Sequence, residues 1–197
     1  MKFAQKAETA GVDAVVAEGF EAGGHNGREE TTTFALIPMV CKSVSIPVIA
    51  AGGIATGRAM LAAMTLGAHG VQIGSRFVAS TESSAHKAFK NLVVSAQEGS
   101  TKLTLKELTP VRLLKNKFFN ELMELYKNNP TNDKLKAHLG RGRAKKGMFE
   151  GDLDEGELEI GQIAAIIDDI LPVSEIVKNL VTEFNSAAAE IGNLTLE

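Results

Sequence analysis

The chain has 197 residues, of which 44% are hydrophobic and 23% are charged. These are ordinary values for a globular protein and exclude a disordered or collagen-like chain. Its 21 basic and 24 acidic residues give a net charge of -3, so no positive excess is available to bind a phosphate backbone, and we expect no nucleic-acid partner.

A cytoplasmic location is expected from two features. Cys41 is the only cysteine, which excludes an internal disulfide and suits a reducing compartment. The sequence also has neither the apolar run of a signal peptide nor about 18 consecutive apolar residues for a membrane span, so no membrane partner is expected.

The first half of the chain alternates helix-like and strand-like stretches. Three short apolar runs predict buried strands, and helical spacing of apolar residues surrounds them. The predicted strands cover 14–17, 47–51 and 71–73, and the predicted helices cover 2–10, 34–44, 57–66 and 83–97. Three strand-then-helix units predict a parallel α/β sheet, either an open doubly wound sheet or part of a barrel.

After residue 100 the pattern predicts helices only. Apolar stripes run through 111–125, 163–170 and 173–184, and the Asn-, Gly- and charge-rich stretch 128–161 is expected to be a long connection. Three parallel strands would leave both edges of the sheet unpaired. We therefore expect the chain to be the C-terminal part of a larger fold.

The first candidate site is the loop after the first predicted strand. Residues 18–27 hold four glycines and His25. Glycines let the backbone approach a ligand closely, and histidine exchanges protons near neutral pH. Because α/β folds place active sites at the carboxyl ends of strands, we interpret this loop as catalytic rather than as a turn with a solvated histidine.

The second candidate site joins the ends of the next two predicted strands. Gly52 and Gly53 end one strand just ahead of a helix, and Gln72, Gly74 and Ser75 follow the other. Free backbone N–H groups at such turns bind anions, and a hydroxyl adds another donor. The pair predicts a phosphate site, although glycines that only make tight turns are the alternative.

Four segments together resemble the nitronate monooxygenase family, formerly called 2-nitropropane dioxygenases, which includes the FMN-dependent enoyl-acyl-carrier-protein reductase II. The segments are Glu21–Gly27, Ile46–Ile54, Gly70–Phe77 and Glu82–His86. The resemblance covers roughly residues 1–185. It implies an α/β fold in which residues 1–100 are the C-terminal half of an FMN-binding TIM barrel, about three βα units, and residues 101–197 are a helical extension packed on it.

The resemblance also implies roles for particular residues. His25 matches the family's active-site histidine, and Arg112 and Asn116 match a pair that follows the barrel. Positions that match the flavin-holding segments, or lie beside them, are Glu18, Gly23, Gly24, Gly52, Gly53, Gln72, Ile73, Gly74 and Ser75. No metal site is expected.

The implied activity is FMN-dependent oxidation of alkyl nitronates with O₂. The alternative in the same family is NAD(P)H-dependent reduction of an enoyl thioester, and a further alternative is a truncated chain without catalysis. The expected partner is a small-molecule substrate, and a homodimer is a further expectation.

Charged stretches late in the chain are expected to lie at the surface. The basic run 141–146 is interpreted as a solvated loop, and six carboxylates between Glu150 and Glu159 are expected to balance nearby cations. His138 is expected to lack a partner.

Overall fold

The computed structural model describes residues 1–192, and an α/β unit forms its first half. Its strands and helices follow the predicted order with shifts of a few residues, except that β2 and α4 were not predicted. They are α1 (Lys2–Thr9), β1 (Val15–Glu18), β2 (Gly24–His25), α2 (Thr33–Cys41), β3 (Val48–Ala51), α3 (Gly57–Thr65), β4 (Gly70–Gln72), α4 (Ser75–Val78) and α5 (Lys87–Val94).

Strands β1, β3 and β4 form a parallel sheet with β3 in the middle. Val15 pairs with Val48, and Ala51 pairs with both Glu18 and Gln72, so the carboxyl ends of the three strands coincide. Within residues 1–192, β1 and β4 each have a neighbour on one side only, which confirms the predicted unpaired edges. The loops that follow these three strands therefore all begin at the same edge of the sheet.

The prediction of helices alone after residue 100 is wrong over residues 101–114. That stretch forms the hairpin of β5 (Thr101–Thr104) and β6 (Val111–Leu114), and β6 also pairs antiparallel with β2. All four residues of β6 are buried, so no polar alternation marks it as a strand. Its residues Val111 and Leu114 also stand at helical spacing from Phe118 in the next helix, and this spacing led to the prediction of a helix.

The remaining elements complete the second half of the chain. Two helices lie inside the stretch expected to be a connection, and only a short 3-10 helix forms where the 163–170 stripe predicted a longer helix. These elements are α6 (Lys117–Tyr126), α7 (Asn132–Leu139), α8 (Arg143–Met148), the 3-10 helix (Gln162–Ile166) and α9 (Val173–Ile191).

Helix α9 packs closely on α3. A Cβ added to Gly57 would lie 2.3 Å from the carbonyl oxygen of Leu180, so only glycine permits this approach. The Glu183 carboxylate accepts a hydrogen bond of 2.8 Å from the Gly57 amide and thereby satisfies a free donor at the start of α3. The last helix is thus fixed to the parallel sheet through α3.

Arg112 links the two sheets from a fully buried position, with 1% of its surface exposed. Its Nη2 donates a 2.7 Å hydrogen bond to the Phe20 carbonyl, and its guanidinium lies 4.5 Å from the centre of the Phe20 ring. Burial lowers the pKa of Arg112, and the charges of Glu21 and Glu30 oppose that shift. The residue therefore holds the glycine loop against β6.

Asn116, the other residue matched after the barrel, fixes the start of α6. Its Oδ1 accepts from the Phe119 amide at 2.9 Å, and its Nδ2 donates to the carbonyls of Leu153 and Gly156, each at 2.8 Å. None of the helices within residues 1–192 is both long and apolar enough to cross a bilayer.

Replacing Arg112 with alanine should lower the free energy of unfolding by about 3 kcal/mol, because a cavity forms and the Phe20 carbonyl loses its donor. Urea unfolding measures this. Arg58→Ala is the matched control, since Arg58 makes only an exposed ion pair with Glu190. Equal stability of Arg112→Ala and the control would contradict the linking role.

Candidate functional site

A cavity of about 280 Å³ lies at the carboxyl ends of β1, β3 and β4. Loops from all three strands line it, and residues 159–163 close it from the other half of the chain. The same position in α/β folds generally holds the ligand.

Seven of the nine predicted flavin-contacting residues line this cavity: Glu18, Gly23, Gly52, Gly53, Gln72, Gly74 and Ser75. The other two do not. Gly24 is buried in β2 opposite Arg112, and Ile73 packs its side chain against the core beneath the parallel sheet. The sequence therefore predicted most of the cavity lining correctly, and only Gly24 and Ile73 lie outside it.

Close backbone packing closes the wall between the first loop and residues 160–162. A Cβ on Gly23 would lie 2.4 Å from the Ile160 carbonyl carbon, so the residue there must be glycine. The Ser75 hydroxyl accepts from the Gly161 amide at 2.9 Å, and the Gln162 amide donates to the Glu21 carbonyl at 2.9 Å. Three separate segments thus meet at one edge of the cavity.

Two backbone donors face this cavity without a partner. Over the described residues 1–192, the amides of Gly53 and Gly74 donate no hydrogen bond. Gly53 has φ +70°, a left-handed conformation that favours glycine. A Cβ added at Gly74 would meet nothing within 4 Å, so the space beside this amide is open. Unpaired N–H groups beside open space suit an anionic ligand.

The two acidic residues of the first loop differ in role. The Glu21 carboxylate accepts from the Thr33 amide at 3.0 Å and from the Thr33 hydroxyl at 2.9 Å, which fixes the start of α2. Glu18 has no such partner within the described chain, and desolvation raises the pKa of its carboxyl. Of these two residues, Glu18 is therefore the one whose carboxylate is available to a ligand in this cavity.

His25 lies in a second, adjacent cavity of about 260 Å³. The antiparallel sheet and helices α7 and α8 surround that cavity, with Val111, Leu139 and Arg143 among its walls. Glu159 lines both cavities. The predicted catalytic histidine thus lies in a cavity next to the predicted flavin site, and Glu159 lies between the two cavities.

Glu157 and Glu159 are the site residues that the sequence analysis missed, and their expected surface position is wrong. They alternate with Leu158, which is fully buried, and Ile160, which is 2% exposed. This two-residue period is typical of an extended segment with both carboxylates on one face, and Glu159 pairs with Leu113 in such a way. The period was the signal that could have found them.

Both of these carboxyls titrate at raised pH. Burial, with a contribution from Glu159, raises the pKa of Glu157 to about 7 against an opposing effect of Arg143. Burial also raises the pKa of Glu159, and the charge of His25 opposes that shift. The second cavity therefore changes its charge within the physiological pH range.

Arg143 and His138 belong to the wall of this region and not to a solvated loop. The Arg143 guanidinium lies 4.5 Å from the centre of the Phe118 ring, and the His138 ring stacks on Phe118 with centroids 5.1 Å apart. The interpretation of 141–146 as a loop is wrong because α8 begins at Arg143. Apart from this ring contact, the buried Nε2 of His138 has no hydrogen-bond partner among the described residues, as expected.

No group of three or more histidine, cysteine, aspartate or glutamate side chains within residues 1–192 is arranged to hold a metal ion.

The fold and the two cavities together define an α/β protein that presents a small-molecule site at the carboxyl ends of parallel strands.

Comparison with known proteins places the chain in one enzyme family. The family model for nitronate monooxygenase matches residues 1–183. Probable nitronate monooxygenases from Staphylococcus saprophyticus and Staphylococcus aureus are 32% identical over 189 residues and 33% identical over 187 residues. Each alignment covers 90% of this chain and 52% of the relative, so the chain spans about half the length of these proteins.

Solved structures show the same likeness. FabK from Thermotoga maritima is 42% identical with a TM-score of 0.89, over 96% of this chain and 60% of that one. A nitroalkane oxidase from Streptomyces ansochromogenes is 31% identical with a TM-score of 0.80, over 96% and 56%. The chain belongs to the nitronate monooxygenase family.

Replacing Glu157 with glutamine should stabilise the chain at high pH. The raised pKa means that the folded chain binds this proton more tightly than the unfolded chain. The stability so gained is present below about pH 4.5 and is lost as the pH rises through about 7. Because Glu157 is partly exposed, we expect Glu157→Gln to add about 1 kcal/mol at pH 8 relative to pH 5.

Urea unfolding of the variant at both pH values measures this difference. Glu98→Gln, which neutralises an exposed carboxylate outside both cavities, is the control. A pH dependence unchanged by Glu157→Gln would contradict the assignment of the raised pKa to this residue.

Proposed function

We propose that the protein binds FMN in the cavity at the ends of β1, β3 and β4 and acts as an FMN-dependent oxidoreductase. The observation that carries this proposal is the meeting of seven predicted flavin-contacting residues around one cavity. Membership of the nitronate monooxygenase family, whose resemblance predicted these residues, also supports it.

We infer that residues 1–100 are the C-terminal half of an FMN-binding TIM barrel and that residues 101–192 form an extension packed on it. Residues 193–197, which were expected to belong to this extension, lie outside the described residues. Support comes from three parallel strands with open edges and from the likeness to FabK over 60% of that chain. The extension is of mixed strand and helix, as the β5–β6 hairpin requires.

The cavity walls fit FMN. Its phosphate requires hydrogen-bond donors that it can approach closely. The amides of Gly53 and Gly74 and the Ser75 hydroxyl would provide such donors. FMN would supply the electron transfer when bound. The chain's own contribution is to hold the flavin through these backbone groups, with Glu18 and Gln72 as side-chain contacts.

His25 would bind and orient the substrate from the adjacent cavity. It is fixed in place because β2 pairs with β6 and because the Asn26 side chain donates to the Ala22 carbonyl at 2.9 Å. Its imidazole would hold or donate a proton at the reacting group. A small molecule that reaches both cavities would lie across Glu159.

Two substrate classes follow from the relatives. Oxidation of alkyl nitronates with O₂ is supported by the family model and by the Staphylococcus proteins. Reduction of an enoyl thioester with NAD(P)H is supported by the 42% identity to FabK, an enoyl-acyl-carrier-protein reductase II. Anaerobic reduction of bound FMN by NADH would favour the reductase, and its absence together with turnover of a nitronate would favour the monooxygenase.

Gly74→Glu should abolish FMN retention while the matched neutral variant Gly74→Gln retains more. A Cβ at Gly74 meets nothing within 4 Å and the two side chains have the same size, so the difference between the variants reports charge beside the phosphate. We expect FMN to bind at least about tenfold more weakly to Gly74→Glu than to Gly74→Gln. Flavin absorbance after desalting measures this for the 197-residue chain.

Equal FMN affinity of the two variants would contradict the phosphate position. A wild-type chain that retains no FMN would contradict the proposal for this chain and support the alternative of a truncated chain without catalysis.

A further inference from the structure

The register of β6 brings His25 and two carboxylates to one face. His25 lies opposite Val111, and Glu159 lies opposite Leu113. Alternate residues of a strand share a face, and cross-strand partners share it with them. Glu157, two residues before Glu159 in the same extended segment, points the same way and lines the same cavity as His25.

Glu159 occupies the boundary between the two cavities. Among the described residues it alone lines both of them. Its Oε2 would lie 2.6 Å from a Cβ added to Gly24, so the absence of a side chain at Gly24 makes room for the carboxylate. A substrate that contacts both His25 and the flavin cavity would therefore lie near this carboxylate.

The two carboxylates have no cation in direct contact, although the charges of Arg143 and His25 act on them from farther away. Within residues 1–192 neither Glu157 nor Glu159 forms an ion pair within 4.0 Å. Arg143 is the nearest candidate, but its Nε donates to the Leu139 carbonyl at 2.8 Å and its Nη2 donates to the His138 carbonyl at 3.0 Å. Its Nη1 donates to the Glu155 carbonyl at 2.6 Å. Arg143 therefore donates its hydrogen bonds to backbone carbonyls of the cavity wall and not to these two carboxylates.

We propose that Glu159, assisted by Glu157, is a specificity-determining residue that selects substrates with a neutral reacting group and rejects anionic ones at His25. The proposal rests on the proposed function only in taking the His25 cavity as the substrate site. Unpaired charges that oppose a competing ligand are a common means of discrimination.

This selection separates the two candidate substrate classes by charge. An alkyl nitronate carries its negative charge on the nitro group, which is the part that must approach His25. An enoyl thioester is neutral at its reacting carbons and carbonyl. Like-charge repulsion in a partly desolvated cavity disfavours the first class and leaves the second unaffected.

Crotonamide and crotonate test this directly, since they share a carbon skeleton and differ in charge. Each is titrated into the ¹⁵N-labelled 197-residue chain at about pH 8, where the Glu157 carboxyl, with its pKa raised to about 7, is ionised. The shift of the His25 backbone amide reports binding. We expect crotonate to bind at least about tenfold more weakly than crotonamide, and Glu159→Gln to reduce this ratio about threefold or more.

Glu98→Gln should leave the ratio unchanged, because it removes an exposed carboxylate outside both cavities. Glu157→Gln is the second variant if Glu159→Gln does not fold. Equal affinities in the wild type, a ratio unaffected by the cavity variants, or no shift with crotonamide up to its solubility limit would each overturn the proposal. None of these outcomes depends on flavin binding, which the Gly74 variants test separately.

Discussion

The buried contact between Arg112 and the Phe20 backbone is the constraint on which the site depends. Arg112 lies on β6, and Phe20 begins the glycine loop that leaves β1. The contact turns this loop away from the parallel sheet and toward the antiparallel one, so that β2 can pair with β6 and carry His25. A guanidinium is suited to this position because its planar face stacks on the ring while its edge donates to the carbonyl.

That turn explains why one loop serves two cavities. Its first part, through Gly23, remains at the ends of the parallel strands and lines the proposed flavin cavity. Its second part enters the antiparallel sheet, where His25 faces the second cavity. Residues 157–162 return between the two parts and add Glu159 to both spaces. The proposed cofactor site and the proposed substrate site therefore use different parts of one loop.

The sequence predicted the parallel half well and the antiparallel half poorly, for physical reasons. The parallel strands are short apolar runs, and each is followed within two residues by a glycine, so composition and position agree. Strand β6 is buried at every position and lacks alternation, while Leu114 stands at helical spacing before Phe118. Glu157 and Glu159 were not recognised because they belong to a run of six carboxylates. The apolar Leu158 between them, which is buried, distinguishes them from the other four. A contact between distant segments, such as Arg112 with Phe20, leaves no local pattern.

Mapping FMN onto the ¹⁵N-labelled 197-residue chain tests the central claim most directly. The account predicts shifts of the amides of Gly53, Gly74 and Ser75, with smaller changes at Gly23 and little change in α6 and α7. Shifts confined to other regions, or no shift on adding FMN, would contradict a flavin site at the ends of the three parallel strands.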